Sequence, residues 1–91
     1  PTFAVYLLGR TPPEVPWEHR WVRWPDFGLP ADRDQARRVL VVALARTATE
    51  RVEFALVADG GADQIHRVAH GRERQHSEIH GIHIYSVALS M

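Results

Sequence analysis

Five of the six histidines in this 91-residue chain lie in its last third, where their spacing could support metal binding. His76, His80 and His83 are separated by four and then three residues, the spacing of ligands on one face of a helix. Imidazole is a common ligand for Zn²⁺, so these three form a candidate metal site. Residues 81–87, however, have the composition of a strand, on which His80 and His83 would point to opposite faces. The alternative is a set of solvated or hydrogen-bonded histidines.

Pro1 is a second candidate, because an N-terminal proline is a secondary amine that can act as a base or a nucleophile. In this respect the start of the chain is similar to that of the tautomerases, which use such a proline. In that family a helix closely follows the first strand, whereas residues 10–31 here are rich in Pro and Trp. Since the sequence does not begin with methionine, either the initiator has been removed or a longer protein has been shortened.

The tryptophans Trp17, Trp21 and Trp24 could stack on nucleobases. Eleven Lys and Arg residues balance eleven Asp and Glu residues, so the chain has no net charge to attract nucleic acid or an anionic membrane. We therefore expect these rings to pack in the core and to contact Arg20 and Arg23 through cation–π interactions. No nucleic-acid partner is predicted.

Length and composition limit the chain to a single domain, residues 1–91, of ordinary globular character. The absence of cysteine excludes disulfides, zinc–thiolate sites and any thiol nucleophile. No apolar stretch approaches the ~20 residues that a membrane helix needs, and the first apolar run lacks the basic start of a signal peptide. A cytoplasmic protein without a membrane partner is expected.

Four elements are predicted before residue 60: a strand at 2–8, an ordered loop at 10–31 with a short strand at 19–23, a helix at 32–47 and a strand at 51–58. Asp32 can cap the helix, with Gln35 at capping-box spacing. Apolar residues at intervals of three and four form one helical face that should pack on the sheet: Ala36, Val39, Leu40, Ala43 and Leu44. Residues 59–61 are predicted to form a turn.

The rest of the chain is predicted to be a β-hairpin, with strands at 65–69 and 81–89 joined by the polar segment 71–75. On such a strand His66 and His70 would lie about 13 Å apart, too far for one metal ion. The fold class is therefore α/β: a small sheet with one long helix on one face, a long Pro/Trp-rich loop and a C-terminal hairpin. The second face of the sheet needs the Trp-rich loop, the tail or another chain to cover it, which leaves a homo-oligomer as one option.

Residues 24–30 read Trp-Pro-Asp-Phe-Gly-Leu-Pro and follow His-Arg-Trp-Val-Arg. Together with the predicted helix and strand, this segment resembles the acid loop of bacterial cysteine-dependent protein-tyrosine phosphatases, over about residues 5–55. The resemblance implies that Asp26 corresponds to the acid that protonates the leaving oxygen. In that family the strand after the helix leads into a Cys-x5-Arg loop. Its cysteine attacks phosphorus, while its arginine and backbone N–H groups hold the phosphate at a helix N-terminus.

The two defining residues of that phosphate loop are missing here, because the cysteine position corresponds to Leu56 and the arginine position to Ala62. Leucine is not a nucleophile, so the family mechanism is excluded and Asp26 is at most a vestigial general acid. Asp59 also places a carboxylate where the phosphate dianion would lie. No counterpart of the family's later helices is predicted, so residues 56–91 read as a divergent, histidine-rich tail.

The sequence thus predicts a phosphatase-like protein without turnover and without a cofactor: a relic, a fragment, or a module that binds a phospho-ligand or another protein. Two alternatives stay open. One is a metal-binding protein or metalloenzyme that uses His76, His80 and His83. The other is a tautomerase-like enzyme that uses Pro1.

Overall fold

The protein, described by a computed structural model, is built from five strands and two helices within residues 1–25, 30–57 and 62–89, which are the residues the structure describes. The strands are β1 (Phe3–Leu8), β2 (Glu18–Arg23), β3 (Val52–Val57), β4 (Arg72–Ile79) and β5 (Ile82–Leu89), and the helices are α1 (Arg33–Arg46) and α2 (Ala62–Ala69). The strands form one mixed sheet in the order β2-β1-β3-β5-β4. The predicted α/β class is confirmed.

The sheet has a parallel half and an antiparallel half. β1 pairs in parallel with β2 and with β3, whereas β5 runs antiparallel to β3 and to β4. Alternate side chains of the central strands point to opposite faces, as strand geometry requires. Phe3 of β1 and Phe54 of β3, both fully buried, belong to the core on the α1 side of the sheet, and Tyr6 and Ala55 belong to the core on the other side.

The helix α1 forms where its capping signal and apolar spacing place it. Asp32 accepts a hydrogen bond from the backbone N–H of Gln35 at 3.0 Å, which caps one of the helix's free donors. The predicted apolar face packs against the core: Ala36 and Ala43 are buried, and Val39, Leu40 and Leu44 are partly buried. The opposite face leaves Val41 and Val42 exposed.

The second face of the sheet is covered in part by the chain between β1 and β2. Val15 and Trp17 from this connection, together with Trp21 of β2, pack against Ala4, Tyr6, Leu8 and Ala55. Among the three covers that the sequence left open, the structure therefore uses the Trp-rich loop on the β1 side. Farther along, Ile82 and Ile84 of β5 are only partly buried on the same face.

Two predictions for the C-terminal part are wrong. Residues 65–69 are helical and belong to α2, where Ile65 and Ala69, one helical turn apart, are buried. In the polar segment 71–75, which was predicted as a connection, residues 72–75 form the first half of strand β4. The hairpin of the structure is β4–β5, joined by a short turn in which His80 and Gly81 have positive φ angles of 51° and 80°. The predicted turn at 59–61 lies outside the described residues.

Arg46 near the end of α1 joins several segments at the edge of the sheet where β1 and β2 begin. Its guanidinium donates to Glu50 at 3.1 and 3.2 Å and to Glu18 at 2.8 Å, and its Cζ atom lies 3.9 Å from the centroid of the Phe3 ring. The hydrogen bond from Arg46 lowers the pKa of Glu18. The hydrogen bonds from Thr2 and then from Arg46 lower the pKa of Glu50.

Candidate functional site

The carboxyl ends of β1, β2 and β3 meet at one edge of the sheet. In open α/β sheets, ligands bind at this edge where the connections of neighbouring strands diverge. The chain leaving β1 leads to β2 on one side, and the chain leaving β3 leads through α2 to β4 on the other side. The point of divergence therefore lies between Leu8 and Val57, the last residues of β1 and β3. We take this carboxyl edge as the candidate site.

Hydrogen bonds hold the chain on either side of residues 26–29 at the carboxyl edge. The carbonyl oxygen of Leu8 accepts from the backbone N–H of Trp24 at 3.1 Å and from the indole N–H of Trp21 at 2.9 Å. The backbone N–H of Ala31 donates to the carbonyl of Arg23 at 3.3 Å. Trp24 and Ala31 therefore both lie beside the end of β2. Asp26, the predicted vestigial acid, lies outside the described residues.

Leu56 and Ala62, the positions that the sequence resemblance assigns to a phosphate loop, belong to the consecutive elements β3 and α2. Leu56 is in β3, fully buried in the core on the α1 side. Ala62 is the first residue of α2, and residues 58–61 between the two elements lie outside the described part. The sequence-based expectation that no helix follows this loop is therefore wrong. The helical spacing of Ala62, Ile65 and Ala69 was the signal that could have revealed it.

Two exposed cations stand at the carboxyl edge. Arg23 ends β2, and Arg10 lies two residues beyond the end of β1. Neither makes an ion pair within the described part of the chain. Guanidinium groups bind phosphate and carboxylate groups well because they can donate two parallel hydrogen bonds. These arginines were not predicted as site residues, because in the sequence they are separated by a long loop.

The structure brings together two of the three predicted metal ligands. The Nε2 atom of His76 lies 2.8 Å from the Nδ1 atom of His83, and the two ring planes are parallel to within 5°. Such a contact is one N–H···N hydrogen bond, so one imidazole donates and the other accepts. His80 is in the β4–β5 turn instead of on a helix with the other two. The helical face on which the three-histidine site depends is therefore absent from this described segment.

Other polar and aromatic groups surround this histidine pair. Tyr85 stacks on His76 with ring centroids 4.7 Å apart, and His66 of α2 contacts Tyr85 edge to face at 6.3 Å. Arg74 donates to Nδ1 of His66 at 3.3 Å. Within the described ranges, no group of three or more His, Cys, Asp or Glu side chains is placed to hold a metal ion. The arrangement therefore supplies two ligands at most.

The tryptophans and Pro1 are the remaining candidate residues from the sequence. Trp24 is buried, and Trp17 and Trp21 are half-buried. The indole N–H of Trp17 donates a hydrogen bond to the Tyr6 hydroxyl at 3.2 Å. These contacts favour the predicted role in core packing. Pro1 is exposed beside the start of β1, at the opposite end of that strand from the carboxyl edge.

Comparisons with known proteins do not assign the chain to a family. No family model matches it, and neither a curated protein nor a solved structure matches it. In the part of the chain that the structure describes, neither helix has the length and apolar character needed to cross a bilayer.

Proposed function

We propose that this chain is a phosphatase-like domain without catalytic turnover that acts as a binding module at its carboxyl edge. The observation that carries the proposal is the β3–α2 unit, in which a buried parallel strand runs through a four-residue connection into a helix. Helix N-termini at such positions bind anions through free backbone N–H groups and the helix dipole. This unit follows the segment that resembles the acid loop, in the order expected for the family.

The chemistry available at this edge supports binding and opposes turnover. The position of the family's nucleophile is a leucine that packs in the core, and the chain contains no cysteine at all. A phosphoryl group therefore has no thiolate to attack it. Arg10 and Arg23 can hold an anionic group by charge-assisted hydrogen bonds, which needs no nucleophile. The ligand class that fits is a phosphorylated small molecule or a phosphorylated side chain.

The proposal predicts no enzyme-dependent hydrolysis of p-nitrophenyl phosphate. The assay compares wild-type protein with Asp26→Asn, which removes the acid that corresponds to the family's proton donor while keeping a side chain of similar size. Both rates should equal the rate in buffer. Hydrolysis that is abolished by Asp26→Asn would show that the acid is catalytic and would overturn the proposal.

Binding is tested on the same proteins by titration with inorganic phosphate, followed by backbone amide NMR shifts. We expect shifts near the ends of β1 and β3, and weaker binding in Arg23→Gln. Arg38→Gln is the matched control, since Arg38 is exposed on α1 and does not follow the end of a strand. If phosphate causes no shifts, or shifts that Arg23→Gln does not change, the carboxyl edge does not bind a phospho-ligand. Another protein would then be the expected ligand of this edge.

The His76–His83 contact favours a second candidate function, the binding of a divalent transition metal. Zn²⁺ lies about 2.0–2.1 Å from imidazole nitrogens, so it would replace the hydrogen-bonded proton after a small rotation of the two rings, with water completing the coordination. At about 100 times its Kd, a metal stabilises the folded state by about 2.7 kcal/mol. A two-ligand surface site would exchange its metal readily.

The metal candidate predicts that Zn²⁺ raises the melting temperature of the wild-type protein and of His80→Gln, but not of His76→Gln or His83→Gln. His80→Gln is a close control because it removes a histidine from the same hairpin without touching the 2.8 Å contact. An equal response in all four proteins, or no response in any, would contradict the site.

A further inference from the structure

The strand β4 presents an unpaired edge of the sheet. It is last in the strand order, so within the described chain it pairs with β5 alone. Seven of its eight residues are exposed, and the eighth, Arg72, is half-buried. An exposed strand edge carries free N–H and C=O groups that can pair with another strand. An edge of eight residues is long enough for such pairing, unless its side chains prevent it.

The side chains on one face of β4 carry charges that lack partners of opposite sign. Arg72, Arg74, His76 and Glu78 alternate along the strand and share the face on which α2 lies. Within the described part of the chain, neither arginine forms an ion pair, and neither does Glu78. On the opposite face Glu73 is already paired with Arg51 at 2.8 Å.

We propose that β4 pairs antiparallel with β4 of a second copy of this chain, which joins two sheets into one across a two-fold axis at His76. Across a two-fold axis, if residue i of one copy contacts residue j of the other, then residue j of the first copy contacts residue i of the second. Because Arg74 and Glu78 lie two positions on either side of His76, each Arg74 then stands opposite Glu78 of the second copy. The two unpaired charges form two ion pairs, and the edge hydrogen bonds are satisfied.

The contacts of the two arginines select this register. Arg72 is held by the Thr47 hydroxyl at 3.0 Å and by the His70 carbonyl at 3.1 Å, so its guanidinium is directed toward its own chain. Within the described residues Arg74 contacts no carboxylate, and its guanidinium donates to Nδ1 of His66 at 3.3 Å. With the axis at Gln75 instead, Glu78 would stand opposite Arg72, whose guanidinium is already held by its own chain, and Arg74 would face His76 without a carboxylate partner.

Charge reversal tests the proposal by sedimentation equilibrium over a range of protein concentrations. We expect a concentration-dependent dimer for wild type and a monomer for Arg74→Glu and for Glu78→Arg, since each reversal opposes like charges twice. The double variant Arg74→Glu/Glu78→Arg should recover the dimer. Arg38→Glu changes the net charge as Arg74→Glu does, but lies on α1, and should stay dimeric. A monomeric wild type at every concentration, or a double variant that stays monomeric, overturns the inference.

Single cysteines locate the axis independently, because the chain has no cysteine of its own. Side chains directly opposite each other in antiparallel strands have Cβ atoms about 4.5–5.5 Å apart, close enough for a disulfide after small adjustments, whereas diagonal pairs lie about 7–8 Å apart. His76→Cys should therefore form a covalent dimer on mild oxidation. Gln75→Cys and Ser77→Cys should crosslink to each other when mixed, and poorly to themselves. Efficient self-crosslinking of Ser77→Cys, with none for His76→Cys, would place the axis elsewhere and overturn the inference.

Discussion

Replacing Trp24 by alanine should remove much of the stability of this protein. Trp24 opens the segment that resembles the acid loop, yet only 6% of its surface is exposed and it belongs to the main hydrophobic cluster with Val22 and Phe3. Truncating a buried tryptophan costs about 3–5 kcal/mol. A domain of this length has a total stability on the order of 5–14 kcal/mol, so the loss is a large share of the whole.

Urea unfolding followed by circular dichroism measures this effect. Trp24→Phe keeps a large ring and should lose much less, and Val41→Ala, at a position with 60% exposure on α1, should change stability by less than about 0.5 kcal/mol. If Trp24→Ala has wild-type stability, the packing of Trp24 in the core does not stabilise the fold, and the prediction is wrong. The matched prediction for function is that p-nitrophenyl phosphate is not hydrolysed by any of these variants.

Arg46→Met should give the largest electrostatic loss of stability in the described chain. The arginine bridges Glu18 and Glu50 and lies over the ring of Phe3, so it links α1 to the starts of three strands. Methionine keeps part of the apolar contact and removes the charge. We expect the melting temperature at neutral pH to fall by a few degrees, and Arg38→Met, on the exposed side of the same helix, to leave it unchanged.

The effect of Arg46→Met should depend on pH, with a sign set by the two carboxyl groups. The pKa values of Glu18 and Glu50 are lowered in the folded protein, so these groups stabilise the fold above the ordinary glutamate pKa of about 4.3. That contribution is lost as the pH falls through the lowered pKa values. Melting curves between about pH 7 and about pH 3 should therefore converge for wild type and variant. A difference that stays constant over this range would assign the effect to packing on Phe3 alone.

The sequence predicted correctly those helices and strands whose apolar residues are buried in the core. For α1, the cap at Asp32 and the spacing of Ala36 and Ala43 predict the element and its packed side, and the structure confirms both. The strands β1, β3 and β5 carry β-branched and aromatic residues that favour extended structure, and they too lie close to the predicted positions. Local propensity and burial agree for these segments.

The polar C-terminal elements could not be predicted in the same way. β4 is an edge strand whose side chains, apart from the half-buried Arg72, are exposed on both faces, so its sequence, Arg-Glu-Arg-Gln-His-Ser-Glu-Ile, has no apolar alternation to reveal it. α2 is short, so the helical spacing of Ala62, Ile65 and Ala69 is a weak signal for a helix against a strand. Its buried contacts with the sheet decide between the two, and they depend on residues far away in the sequence.

For the candidate site, the sequence by itself determined the available chemistry: no thiol, no net charge, and apolar residues at positions 56 and 62. Composition is independent of folding, so these exclusions needed no coordinates. Only the tertiary structure decided which groups meet. It placed His83 against His76 and left His80 in a turn, and it brought Arg10 and Arg23 to the same edge. Strand pairing sets these distances, because it joins segments whose order in space differs from their order in the chain.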